Sequence, residues 1–243
     1  MTSALDQTRA ILRDVAEAYT PSVLASSLGA EDMVLLDLIA ELKLPIGVFT
    51  LDTGRLPQET YDLLQLARAR YGISIAVYAP ESGDLERYIA EHGPNGFYDS
   101  VALRQECCHI RKVKPLQRAL AGKKSWVTGL RRAQSAGRSG IAVKEWDAGH
   151  QLEKFNPLVE WSEEDVWNYV RAHDVPVNAL HAKGYPSIGC APCTRAIRSG
   201  EDIRAGRWWW ENPEFNECGL HPHQAPQDQV QHTQAQPGQA QHR

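Results

Sequence analysis

The chain has 243 residues, with 26 Lys and Arg against 30 Asp and Glu, a formal net charge of −4. Its 42 % hydrophobic and 23 % charged residues are the proportions of a globular protein with a sizeable core, which excludes disordered, collagenous and membrane-embedded classes for most of the chain. The acidic balance argues against a general nucleic-acid binder. The longest uncharged stretch near the start, Ala18 to Ala30, is interrupted by Pro21 and shorter than the about 20 apolar residues that a bilayer span needs, so no membrane association is expected. No basic segment followed by an apolar run opens the chain, and a cytoplasmic protein is expected.

Apolar residues at Leu5, Ile11, Leu12, Val15 and Ala16 predict an amphipathic helix over 4–19. Val23-Leu24-Ala25 reads as a short strand leading into the turn Ser26-Ser27-Leu28-Gly29-Ala30-Glu31-Asp32 and a helix over Met33 to Leu42. The unit repeats: a strand over Ile46 to Leu51, the turn Asp52-Thr53-Gly54-Arg55 and a helix from about Pro57 to Arg70, then a strand over Ile73 to Tyr78 and a helix over about Asp84 to Glu91. Residues 109–121 read as a helix and Ser125 to Thr128 as a fourth strand.

This alternation predicts an α/β fold, a mainly parallel twisted sheet with helices on both faces. Ligands of such sheets bind beyond the carboxyl ends of the strands, here at the turns following Ser26, Leu51 and Thr128. Two extended runs around Asp147-Ala148-Gly149-His150 predict a hairpin within 140–155, and Ser162-Glu163-Glu164-Asp165 opens a helix over about 163–173 in the manner of a capping box. Residues 222–243 contain eight Gln, three His and almost no apolar residues, so a disordered tail is expected there rather than a metal site.

Four of the five cysteines fall in pairs, Cys107-Cys108 and Cys190-Ala191-Pro192-Cys193, and Cys218 stands alone. In a reducing cytoplasm structural disulfides are not expected. Neighbours on a helix diverge by about 100°, so two adjacent thiolates suit separate corners of a multi-metal cluster better than one tetrahedral zinc. The C-x-x-C turn supplies two more ligands. The set reads as a four-cysteine [4Fe–4S] site, with structural zinc and unliganded or redox cysteines as the alternatives. Cys218, in Glu217-Cys218-Gly219-Leu220-His221, is either an inert cysteine or a reactive one; His221 favours its thiolate and Glu217 opposes it.

Cations gather near the predicted turns: Arg131, Arg132 and Arg138 after the fourth strand, Lys112 one turn beyond the double cysteine, and Arg204 and Arg207 before Trp208-Trp209-Trp210. Arginine forks pair bidentately with phosphate and sulfate oxygens, so the set points to an anionic substrate, although each arginine alone reads equally well as solvated surface. The Ser26–Asp32 turn lacks the Gly-x-x-x-x-Gly-Lys-Ser/Thr pattern of a triphosphatase. The three tryptophans read as core or interface packing, and they offer a face for a homo-oligomer.

Taken in order, Ser26-Ser-Leu-Gly-Ala-Glu-Asp32, Leu51-Asp-Thr-Gly-Arg55, Cys107-Cys108, Thr128-Gly-Leu-Arg-Arg132, Cys190-Ala-Pro-Cys193, Arg207-Trp-Trp-Trp-Glu211 and Glu217-Cys-Gly-Leu-His221 resemble the assimilatory phosphoadenylyl/adenylyl sulfate reductase family. The four paired cysteines resemble those of its cluster-containing, adenylyl-sulfate-reducing branch. The resemblance covers about residues 20–221 and implies a single reductase domain over 1–221 of adenine-nucleotide α-hydrolase-like fold. Its mobile catalytic segment would run over about 205–221 and act as a lid.

It assigns a [4Fe–4S] cluster to Cys107, Cys108, Cys190 and Cys193 and the nucleophile to Cys218. Substrate contacts are implied for Ser26, Ser27, Gly29, Asp52, Thr53, Gly54, Arg55, Lys112, Arg131, Arg132, Arg138, Arg204, Arg207 and His221. Cys218 would attack the sulfur of adenylyl sulfate and expel AMP, leaving an S-sulfocysteine from which thioredoxin or glutaredoxin releases sulfite. Three other readings stay open: reduction of 3′-phosphoadenylyl sulfate or of both nucleotides, an ATP-dependent tRNA-thiolating enzyme, and a metal-containing nucleic-acid regulator. Ala30-Glu31-Asp32 stands where an ATP pyrophosphatase loop has a Gly-Lys-Asp-type run, and the negative net charge opposes an RNA or DNA face.

Overall fold

The structure, a computed structural model, describes residues 3–134 and 140–211. Arg138, Cys218, His221 and the Gln/His-rich tail over 222–243 lie outside the described residues.

Helix α1 (Ala4–Ala18) opens at Ser3, whose hydroxyl accepts the Asp6 N–H, and turns Leu12, Val15 and Ala16 into the core. Strand β1 (Ser22–Ala25) follows, then α2 (Ala30–Glu41), β2 (Ile46–Leu51), α3 (Gln58–Tyr71), β3 (Ile75–Tyr78) and α4 (Ser82–His92). Three strand-and-helix units of the sequence are therefore present, with β3 two residues shorter than the apolar run that announced it. Where the sequence reading placed one helix over 109–121, the chain forms α5 (Val101–Cys108), a π turn over His109–Val113 and α6 (Lys114–Leu120). Helix α5 was missed because its first turns carry Arg104, Gln105 and Glu106 and show little apolar periodicity; its start is marked by Ser100, whose hydroxyl accepts the Leu103 N–H.

Strand β4 (Ser125–Val127) leads to a hairpin of β5 (Lys144–Asp147) and β6 (Leu152–Phe155), as the sequence predicts. Helix α7 (Glu163–Ala172) starts with both halves of the expected capping box, Ser162 and Asp165.

The six strands lie in the order β3-β2-β1-β4-β6-β5, all parallel except β5 at the edge. Side chains alternate between two cores, as the period of two in a strand requires. Leu24, Ile46, Val48, Val127 and Phe155 face α1, α2, α3 and α7, whereas Val23, Phe49, Trp126 and Leu152 face α6. Helices thus cover both faces of the sheet. The chain leaves β1 toward β2 on one side, while β4 pairs on the other, so the order reverses between β1 and β4. That reversal opens a crevice beyond their carboxyl ends.

Candidate active site

A cleft of about 270 Å³ occupies this crevice. Its floor is the turn after β1, with Ser26, Ser27 and Gly29, and its sides are Thr53 after β2 and Thr128 and Gly129 after β4. The N-terminus of α2 borders it without a side-chain cap on Gly29. Instead the Asp32 carboxylate turns back and accepts both the N–H and the hydroxyl of Ser27, each at 2.7 Å. Burial pushes the Asp32 carboxyl up to about 6, against the two Ser27 hydrogen bonds that draw it down. Gly129 is required by close approach: a Cβ there would lie 2.4 Å from Asp32 Oδ1 and 2.9 Å from Glu31 Cβ.

The predicted turn residues after β2 divide by role. Thr53 lines the cleft, and its hydroxyl accepts the Arg55 N–H at 3.2 Å and meets Cys190 Sγ at 3.2 Å. Asp52 shapes the turn instead, accepting the Gly54 N–H at 2.8 Å and the Tyr61 hydroxyl at 2.7 Å. Gly54 holds a left-handed φ of 68° beside Arg111.

The cations divide likewise. Lys112, Arg204 and Arg207 line the cleft. Arg207 is buried; its Nη1 donates to Ser187 Oγ at 3.3 Å and its guanidinium carbon lies 4.8 Å from the Trp208 ring. Arg131 and Arg132 do not line it. Arg131 donates from Nε at 2.9 Å and from Nη2 at 2.7 Å to Glu31 Oε1, and from Nη1 to the Trp161 carbonyl. Arg132 turns away to the Ile141 carbonyl at 2.8 Å and to Glu160. Spacing alone grouped these two with the cleft cations, but carboxylates supplied by Glu31 and Glu160 claim them. Arg55 faces the cysteines, over Phe97 at 5.0 Å and bonded to Asn95 and Pro94.

Cys107, Cys108, Cys190 and Cys193 come together, all buried and none in a disulfide, around a small void that Arg55, Arg104, Arg111 and Lys112 also line. The pair from α5 meets the pair from the loop whose Ala191 N–H donates to the Arg55 carbonyl at 2.8 Å. Burial, followed by the neighbouring Cys190, pushes the Cys193 thiol up to about 12, and burial raises Cys107 against the pull of Arg111. Burial would raise Cys190 as well, but Lys112, the Thr53 hydroxyl, Arg207 and Arg111 together hold it below its ordinary value. Burial thus opposes ionisation of Cys107 and Cys193 while the nearby cations favour it at Cys190, and a metal centre among the four sulfurs would have to supply positive charge that offsets the burial.

Among the described residues no three His, Cys, Asp or Glu side chains converge closely enough for one metal ion. Four buried thiols presented as two pairs, one from α5 and one from the loop over 190–193, are a donor type that iron–sulfur clusters and structural zinc both use.

Two groups escaped the sequence reading. Arg104, three residues before Cys107, pairs with Glu211, and Arg111, three residues after Cys108, donates from Nη1 to the Thr53 carbonyl at 2.6 Å. Helical spacing from the double cysteine was the available sign for both. Of the tryptophans, Trp208 packs with the cysteines, Trp210 packs on Tyr98 at 4.5 Å, and Trp209 is exposed.

A doubly wound sheet with its cleft at the switch point defines an α/β protein of adenine-nucleotide α-hydrolase-like architecture. The profile of the phosphoadenosine phosphosulfate reductase domain matches residues 21–196. The adenosine 5′-phosphosulfate reductase of Allochromatium vinosum is 57 % identical over 211 residues, 87 % of this chain and 82 % of that protein. That of Burkholderia cepacia is 52 % identical over 91 % of this chain and 88 % of its own length. Among solved structures, phosphoadenylyl-sulfate reductase from Candida auris in its phosphate complex superposes with a TM-score of 0.68 at 27 % identity, covering 78 % of this chain and 90 % of that one. Candida glabrata FMN adenylyltransferase shares the fold alone, with a TM-score of 0.56 at 14 % identity over 88 % and 75 % of the two chains. The chain belongs to the phosphoadenosine phosphosulfate reductase family, and it is an enzyme of that family's adenylyl-sulfate reductase branch.

Proposed function

We propose that the enzyme reduces adenylyl sulfate to sulfite and AMP at the expense of a dithiol, in cytoplasmic assimilatory sulfate reduction. The observation that carries this reading is the adjacency of the two spaces: Lys112 and Cys190 stand in the walls of both the nucleotide-sized cleft and the four-cysteine chamber. The turns bearing Ser26, Ser27, Gly29 and Thr53 receive the adenylyl group. Lys112, Arg204 and Arg207 place positive charge where the sulfuryl group lies, screening it from an incoming thiolate. Cys107, Cys108, Cys190 and Cys193 would hold a [4Fe–4S] cluster, which when bound supplies the compact cationic core that lets four buried thiolates coexist beside the cleft.

The chain's own chemistry is then two substitutions at sulfur. The Cys218 thiolate attacks the sulfuryl sulfur, the bond from that sulfur to the bridging oxygen breaks, and AMP leaves with the oxygen and its electron pair. One thiolate of thioredoxin or glutaredoxin attacks Sγ of the resulting S-sulfocysteine and displaces sulfite. Its second thiol resolves the mixed disulfide, so the dithiol leaves oxidised and Cys218 is restored. What supports the place of Cys218 is its position seven residues beyond Glu211, whose carboxylate is anchored beside the chamber.

The test is anaerobic incubation of iron-loaded protein with adenylyl sulfate and no reductant, followed by peptide mass spectrometry. A sulfonate-sized adduct on Cys218 is expected, formed faster than with 3′-phosphoadenylyl sulfate. It should be absent in Cys218→Ser, which keeps its iron, whereas Cys108→Ala loses iron and activity together. An adduct at another residue, or iron lost from Cys218→Ser, refutes the division of the cysteines.

A further inference from the structure

The proposed chemistry uses neither Arg104 nor Glu211, yet they form a tightly enclosed ion pair, with side chains 1 % and 3 % exposed. The guanidinium meets the carboxylate as a fork: Nε lies 2.9 Å from Oε1 and Nη2 lies 2.7 Å from Oε2. The guanidinium carbon lies 4.8 Å from the Trp208 ring, and the same guanidinium hydrogen-bonds the Cys108 side chain.

Burying such a pair contributes little net stability, because desolvation of two charges offsets their attraction and an apolar pair of similar volume serves about as well. A bidentate fork contributes register: it admits one relative placement of its two carriers. Here the carriers are α5, which ends in Cys107 and Cys108, and the segment 204–211, which ends seven residues before Cys218. A second tie lies on the same segment, where the Trp208 N–H donates to the Cys193 carbonyl at 3.2 Å. Both cysteine pairs therefore grip the chain that leads to Cys218.

We infer that Arg104 and Glu211 are positioning residues, which lock the base of the Cys218 segment to the helix carrying the double cysteine, so that the assembled chamber fixes where the nucleophile is tethered. The inference rests on the reading of Cys218 as nucleophile. Covalent geometry places Cys218 within at most about 25 Å of Glu211, so where the fork holds Glu211 bounds where the nucleophile can act and its effective concentration at the bound sulfuryl group.

The test uses the full-length, iron-loaded protein. Glu211→Gln removes the charge and half the fork; because it leaves Arg104 without its counter-charge, Arg104→Met/Glu211→Leu, which buries no charge, is measured beside it. For the double variant, iron content and cluster absorption are expected to match the parent, AMP to bind with a Kd within about twofold, and iodoacetamide to alkylate Cys218 at the parental rate. Single-turnover sulfonation of Cys218 at saturating adenylyl sulfate should fall about ten- to hundredfold. Sulfonation at the parental rate overturns the inference, as does a loss matched by equal loss of AMP affinity or iron in both variants, which marks a structural role only. Mapping the parent's adduct away from Cys218 overturns the proposed function and the inference with it; a parental rate with the adduct still on Cys218 overturns the inference alone.

Discussion

At Gly189 a hydrogen stands where no carbon fits. An ideal Cβ would lie 2.3 Å from Nη2 of Arg207, 2.6 Å from Cζ and 3.1 Å from Nη1. Ordinary contact begins at 3.4 Å, so Gly189→Ala drives the guanidinium back by about 1 Å. Its existing bonds give little slack: Nη1 lies 3.3 Å from Ser187 Oγ and 3.4 Å from the Ile188 carbonyl, already the long end of an N–H···O bond. A retreat of that size away from residue 189 lengthens both and shifts the fork within the cleft, whose roof Gly189 shares.

Misplacing a binding group by about 1 Å costs up to about a hundredfold. The Kd for adenylyl sulfate should therefore rise about ten- to hundredfold, or about 1.4 to 2.8 kcal/mol. Gly83→Ala, whose new Cβ meets nothing within 4 Å, serves as the control. Anaerobic calorimetric titration of both variants decides the matter, with urea unfolding run alongside to separate binding from stability. Affinity of Gly189→Ala within twofold of the control refutes the placement of Arg207 at the anion.

Asp32 makes a pH prediction. Its carboxyl ionises near 6 in the folded chain against an ordinary value of 3.8. Between pH 4 and 6 the unfolded chain therefore loses this proton while the folded chain keeps it, and stability falls as pH rises, by about 3 kcal/mol in all, then stays level above 6. Asp32→Asn should lack that slope in urea unfolding at pH 4.5 and 7, and parallel slopes in parent and variant would refute it. Arg132→Ala should leave the Kd for adenylyl sulfate within about twofold, because its guanidinium serves Ile141 and Glu160. A tenfold loss would return Arg132 to the site.

The centre of the sheet was legible because β1, β2 and β4 carry apolar runs that a doubly covered sheet buries, as Ile46, Val48 and Phe49 show. The turns were legible too: three of them, at Ser26, Thr53 and Thr128, do meet at one cleft. The side-chain partners were not. Arg131, Arg132 and Arg207 look alike in sequence, and only tertiary packing gives the first two Glu31 and Glu160 and turns the third toward the cleft. The Arg104–Glu211 pair spans 107 positions, beyond any local pattern. Helix α5 was overlooked for the related reason that its inward face is Arg104, Cys107 and Cys108, which no apolar periodicity announces.

The floor and the roof of the cleft are built differently, and that difference gives the chamber its place in the design. The floor rests on β1, β2 and β4, whose ladder hydrogen bonds hold it regardless of what binds above. The roof, residues 186–190 and 203–208, is irregular chain with a single isolated bridge between Thr194 and Arg207. The Arg195 N–H donates to the Gly206 carbonyl at 2.9 Å, and further ties run through the cysteine loop: Ala191 N–H to the Arg55 carbonyl, Tyr98 hydroxyl to the Pro192 carbonyl, Cys190 to Thr53, and Trp208 N–H to the Cys193 carbonyl. Chain without regular structure keeps one conformation only when buried side chains over-determine it. Here those side chains include the four cysteines and Trp208, packed with Tyr88, Phe97 and Ile110. Whatever draws the cysteines together thus also sets the position of Arg204 and Arg207, and substrate affinity should follow iron content in a titration of iron back into stripped protein, even though no iron needs to touch the substrate.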